Sequence, residues 1–274
     1  MFSNLKNYLL LLIVFSFSIA KAEIKAKVYY EQIENGYKIY ADNNEFCPVS
    51  VKIDFTVLNL QIEGGNNKIY VIEALKNKQL LTTIKVIVIG KSYKISFTSF
   101  TNFGNNNVDK FDEDFAYDLP FKKSDQFLLF QGYNGKFSHK NENSLDFSMP
   151  IGTEIVAIRD GIVINVVDQN TKNCAEESCK QYNNLILVFH SDGTFAEYDH
   201  IKQNGSRVKI GEKILKGQVI ALSGNTGWSS GPHLHLVIFK QKLFKRETLK
   251  TKFKIDSGDK IDFLNEKTEY LKNY

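Results

Sequence analysis

The sequence predicts an all-β protein in two parts, an immunoglobulin-like sandwich at the N-terminus and then a compact, curved antiparallel sheet or barrel-like domain. Three observations carry this. Short segments rich in β-branched and aromatic residues recur about every ten residues. No stretch shows the period of a long amphipathic helix. The second half is punctuated by glycines set between paired apolar residues.

The chain opens with Lys6, an apolar run from Tyr8 to Ile19 and the small-residue signal Ala20-Lys21-Ala22. This reads as a secretory signal peptide over residues 1–22, cleaved after Ala22, and it is too short for a comfortable membrane span. No other segment is apolar for long enough to cross a bilayer, so no span is expected after cleavage. At 274 residues, 43% hydrophobic and 24% charged, the chain is ordinary globular material with room for two domains. Removing Lys6 and Lys21 with the leader leaves 33 basic against 31 acidic residues, a net of +2. That balance gives no argument for nucleic acid, and no phosphate-cradling loop or aromatic-basic motif supplies one. A monomer is expected.

Residues 23–116 form the expected sandwich domain. A-K-V-Y-Y-E, Y-K-I-Y-A, V-S-V-K-I-D-F-T-V, K-I-Y-V-I, T-I-K-V-I-V-I and Y-K-I-S-F-T-S-F are its strands, with turns at Asn35-Gly36, Gly64 to Asn67 and Gly90. Gly104 to Ala116, with three consecutive asparagines and Asp112-Glu113-Asp114, reads as a linker. A second domain is expected over residues 117–240. Within it, I-V-A-I-R-D-G-I-V-I-N-V-V carries a hairpin signature centred on Asp160-Gly161. Residues 241–274 form a basic extension whose first part reads as a solvated surface or an attachment patch. Cys174 and Cys179, five positions apart in the polar insertion N-C-A-E-E-S-C-K, suit a small disulfide in an oxidising compartment, and Cys47 reads as a buried apolar residue.

Four of the five histidines fall in three places: His139, His200 and the pair His233/His235. His233-Leu234-His235 reads as a strand, so both imidazoles share one face while Leu234 and Leu236 point to the other. Such a strand is a rigid mount for a metal ligand. Zinc takes nitrogen, sulfur and carboxylate donors, three from the protein at a catalytic site, and His139, Asp146 and one of the His233/His235 pair can supply them. His190, before a turn at the end of an apolar strand, reads as structural.

These residues resemble a known family. The run Gly224, Thr226, Gly227, Ser229, Gly231, Pro232, His233, Leu234, His235, with Tyr198 and His200 before it and His139 and Asp146 earlier, is similar to the motifs of the lysostaphin-type zinc metallopeptidases, which are peptidoglycan endopeptidases. The likeness covers Gly132 to Lys240. It implies a duplicated-hybrid-motif fold, zinc ligands at His139, Asp146 and His235, non-ligand catalytic histidines at His200 and His233, and peptidoglycan as the partner. One departure stands out: six residues separate His139 from Asp146 where the compact members have three, which leaves Glu142 as a competing carboxylate. The expected function is an exported zinc endopeptidase, periplasmic or extracellular, in which the metal activates water and polarises the scissile carbonyl. The alternative is a non-hydrolytic wall-binding or hydrolase-activating protein that retains the zinc site.

Overall fold

The computed structural model describes residues 24–274, and the signal-peptide reading lies outside them. The described chain is built almost wholly of strands. The first seven are β1 (Ala26–Ile33), β2 (Gly36–Asn43), β3 (Val49–Leu58), β4 (Leu60–Ile62), β5 (Ile69–Ile72), β6 (Gln79–Val86) and β7 (Lys94–Phe103). They make two antiparallel sheets, β1-β2-β6-β4 and β5-β3-β7. Alternation along β3 buries Val49, Val51, Ile53 and Phe55 against Ile39, Ala41 and Ile84 of the other sheet, which closes a sandwich core.

From the linker region onward come β8 (Ala116–Tyr117), β9 (Gln126–Gln131), β10 (Ser144–Phe147), β11 (Glu154–Val156), β12 (Gly161–Val167) and β13 (Asn173–Cys174). After a short 3-10 turn at Glu177–Tyr182 follow β14 (Leu185–Phe189), β15 (Thr194–Asp199), β16 (Ile201–Ser206), β17 (Lys213–Ile214), β18 (Val219–Ser223) and β19 (Gly227–Trp228). The chain ends with β20 (Leu234–Lys242), β21 (Lys245–Thr248), β22 (Lys252–Ile255), β23 (Lys260–Phe263) and β24 (Thr268–Leu271). The main sheet has nine strands and runs β17-β12-β14-β15-β20-β10-β9-β24, with β21 on β20. A three-stranded sheet, β11-β18-β16, lies apart from it in the hydrogen-bond pattern. Leu145, Phe147, Ile186, Val188, Tyr198, Leu234 and Leu236 from the main sheet pack with Ile155, Ile201 and Ile220 from the smaller one in a single core.

The expected hairpin at Asp160-Gly161 is not formed. β11 pairs with β18 and β12 pairs with β14, so the two halves of that segment go to different sheets. Gly161 is there for a close approach rather than for a turn: a Cβ on it would lie 2.7 Å from the Phe189 carbonyl oxygen and 2.5 Å from Val188 Cγ1. The basic tail is woven into the fold, since β21 extends β20 and β24 closes the edge of the main sheet beside β9. Residues 104–116 are tied down as well. The Gly104 N–H donates to the Pro48 carbonyl, and Phe111 and Phe115 pack on the main core.

The opposite face of the main sheet has two ends. At one end Ile164, Leu187, Phe195, Val237 and Phe239 pack around Cys47, with Phe46 and Phe103, so the sandwich seats directly on this face. Cys47 is fully buried there, and burial pushes its thiol up to about 12. The other end is a cleft.

His190, at the turn after β14, is buried and donates from Nδ1 to the Asp160 carbonyl at 2.8 Å. Burial pushes its imidazole down to about 4. The unfolded chain takes up that proton near the ordinary histidine value of about 6.5, so between the two values the unfolded state holds more protons and stability falls as pH falls. Compared with His190→Gln, the natural chain should therefore lose about 3 kcal/mol more stability on going from neutral pH to below the folded value. Denaturant unfolding across that window checks this, and parallel pH slopes for the two proteins would refute it.

Candidate active site

The cleft is built on a row that crosses three strands. Asp146 on β10 pairs with His235 on β20, and His235 pairs with Asp199 on β15. Because strand side chains alternate, the three share the face that also carries Val237 and Phe239, while Leu234 and Leu236 go to the core. Tyr198 likewise turns inward, and its hydroxyl accepts the Ile158 N–H at 3.0 Å.

His139, Asp146 and His235 each bring one donor atom into a group whose members all lie within 4.8 Å of one another. His139 Nε2 is 3.1 Å from Asp146 Oδ2 and 3.2 Å from His235 Nδ1, and His235 Nδ1 is 2.8 Å from Asp146 Oδ1. The Gly132 carbonyl, 3.0 Å from His139 Nδ1, can only accept, so the proton sits on Nδ1 and Nε2 faces the site as a lone pair. Two imidazole nitrogens and a carboxylate converging in this way fit a divalent ion of the zinc class. Burial opposes ionisation of Asp146, yet the His139 and His235 imidazoles beside it hold its carboxyl far below the ordinary range. Gln131 Nε2 donates to Asp146 Oδ2 at 3.0 Å and fixes its orientation. Glu142 is not in this group. Its carboxylate lies 3.4 Å from Arg246 Nη2, so the lengthened loop does not bring it to the site.

His200 and His233 stand beside the three, with ring centroids 4.5 Å apart. His200 Nδ1 donates to the Thr226 carbonyl at 2.7 Å and His233 Nδ1 to that of Gly231 at 2.8 Å, which turns both Nε2 atoms away from the backbone. His200 has φ 63°, a left-handed conformation that ends β15 and passes the chain to β16 in the smaller sheet. Burial, then the neighbouring His233 and His235, push His200 down to about 3, and burial lowers His233 as well. Both imidazoles are therefore neutral at pH 7. The run from Gly224 to Pro232 is shaped for this. Gly227 has φ +79°, and a Cβ on it would lie 2.8 Å from Asn183 Cα.

The cleft has a volume of about 710 Å³. Besides the histidines it is lined by residues that sequence reasoning did not single out: Asp199, Glu197 and Arg246 on the floor, and Phe130, Phe137 and Trp228 on the walls. Phe137 is 94% exposed. Cys174 and Cys179 are bonded, and their loop closes one wall, where the Trp228 Nε1–H donates to the Ala175 carbonyl at 3.0 Å. The signal for Glu197 and Asp199 was present in the alternation of T-F-A-E-Y-D. Arg246 had none, because only the pairing of β21 with β20 brings it here.

An antiparallel sheet thus mounts two histidines and an aspartate in a cleft, with two neutral imidazoles alongside, a set that can hold a divalent ion and accept a proton beside it. Residues 140–246 match the family model of Peptidase family M23. An uncharacterised metalloprotease of Buchnera aphidicola subsp. Baizongia pistaciae is 36% identical over 125 residues, 44% of this chain and 30% of that protein. Peptidoglycan DD-endopeptidase ShyA of Vibrio cholerae is 38% identical over 93 residues, 34% of this chain and 19% of that protein. Lysostaphin of Staphylococcus simulans is 32% identical over 105 residues, 38% and 18% respectively. The chain thus spans less than a third of the length of these relatives. Among solved structures, the catalytic domain of lysostaphin from Staphylococcus simulans aligns with TM-score 0.34 and 24% identity, over 46% of this chain and 88% of that one. A zinc-containing peptidase from Vibrio cholerae aligns with TM-score 0.35 and 18% identity, over 77% and 54%.

Among the described residues no helix is long and apolar enough to cross a membrane.

Proposed function

We propose that the chain is an exported zinc-dependent endopeptidase that hydrolyses peptide bonds in the stem peptides or cross-links of peptidoglycan. The observation that carries this is the convergence of His139 Nε2, Asp146 and His235 Nδ1 in one buried group beside two neutral histidines. The names of the relatives, among them a peptidoglycan DD-endopeptidase, support the substrate.

His139, Asp146 and His235 would hold the zinc, which when bound supplies a Lewis acid for the scissile carbonyl and a lowered pKa for attacking water. The remaining chemistry belongs to the chain. Burial leaves the Nε2 atoms of His200 and His233 unprotonated, so either can accept the proton of the attacking water and return it to the leaving amine. Once protonated, the same imidazole is a donor for the developing oxyanion. The Thr226 and Gly231 carbonyls hold both rings in the tautomer that this requires. The aromatic walls, Phe130, Phe137 and Trp228, exclude water along an extended peptide.

Digestion of purified peptidoglycan by the full exported chain, read by mass spectrometry, tests the reading. Fragments carrying one added water per cut peptide bond, abolished by a chelator and restored by zinc, are expected. A chain that binds zinc and releases no fragment would sink it.

A further inference from the structure

Asp199 is left over from this chemistry. It is the outer member of the row Asp146–His235–Asp199, it is 7% exposed, and its Oδ1 has no hydrogen-bond partner. Glu197 lies on the same face two residues earlier, and Glu142 stands opposite. The guanidinium among them is already committed: Arg246 Nη1 is 2.8 Å from Glu197 Oε1, and Nη2 is 3.4 Å from both oxygens of Glu142. Three carboxylates therefore share one fixed cation in the cleft floor. The lysines that line the cleft, Lys140 and Lys180, are exposed at its mouth, and Lys180 is paired with Glu177. A carboxylate oxygen left buried without a donor is costly. A cation that arrives with the substrate would remove that penalty.

We propose that Asp199, backed by Glu197, seats a primary ammonium group carried by the substrate peptide beside the bond that is cut. An ammonium suits the recess better than a guanidinium, because so little of Asp199 is open. A compact charge on a flexible stem can enter where a planar fork cannot. The inference rests on the peptidase reading and adds to it a preference among peptides. Asp199 acts on binding, while proton transfer stays with the histidines.

The test compares peptidoglycan peptides with free amino groups against the same peptides after acetylation, using the full chain, Asp199→Asn and Glu197→Gln. Acetylation should raise KM of the natural chain about 10- to 100-fold, the worth of a hydrogen bond to a charged group. Asp199→Asn should show a similar loss on free peptides and little further loss on acetylated ones, with zinc content and melting temperature retained. Glu197→Gln should show the same pattern more weakly. If the natural chain cuts both peptide sets equally well, the ammonium seat is wrong and the peptidase reading stands. If it cuts neither, both fall. If acetylation harms Asp199→Asn as much as the natural chain, bulk and not charge is being sensed, which overturns the proposal. Loss of zinc from Asp199→Asn overturns it too, by making Asp199 a support of the metal ligands.

Discussion

Asp146→Ala is expected to abolish zinc retention and to take peptidoglycan hydrolysis down to background. Asp146 contacts both other donors through different oxygens, Oδ2 to His139 and Oδ1 to His235. Its removal leaves two imidazole nitrogens 3.2 Å apart with no anion between them. Loss of an outer-shell partner of a metal ligand typically costs about 10- to 100-fold in affinity, and loss of a ligand should exceed that. Metal counting after dialysis and the wall-digestion assay read the two effects separately. A variant that kept both would pass the carboxylate role to Glu142, which Arg246 now holds away.

His233→Ala should do the reverse, keeping the metal while lowering kcat by about 10²- to 10⁴-fold, the usual worth of a positioned acid or base. His233 Nε2 is 3.9 Å from Asp146 Oδ1, near the ligand group but outside it. For His200 the better probe is asparagine. Its φ of 63° suits asparagine, whereas alanine there adds about 1–2 kcal/mol of backbone cost and blurs the readout. His200→Asn should also bind zinc and lose turnover. Wild-type kcat in either variant would remove that residue from proton transfer.

Most of the fold was legible as a period of two. β3 alternates along most of its length, and Leu234, His235 and Leu236 point as expected. Where the reading went astray, short-range pattern met long-range pairing. β4 is three residues long and follows Asn59 with φ 52°, too short to leave a period. The sixth strand was expected to reach Ile89, yet it stops at Val86. Asn59 donates to the Val88 carbonyl and accepts the Val88 N–H, which fastens an exposed apolar turn at Ile87 to Ile89. Asp160-Gly161 looked like a hairpin because nothing local says that the next strand will find β14 instead. The site divides the same way. Histidines in motifs announce themselves, whereas Asp199, Glu197 and Arg246 meet only through the register of β15, β20 and β21.

One surface serves two tenants. The face of the main sheet that bears His235 and Asp146 continues without a break into Val237, Phe239 and Phe195, on which the sandwich rests. A protein trimmed at residue 116 would bare that aromatic strip to water, next to a cleft already walled with Phe130 and Phe137. Its behaviour in solution would then be governed by self-adhesion, and a gain or loss of turnover on trimming would report colloidal state first.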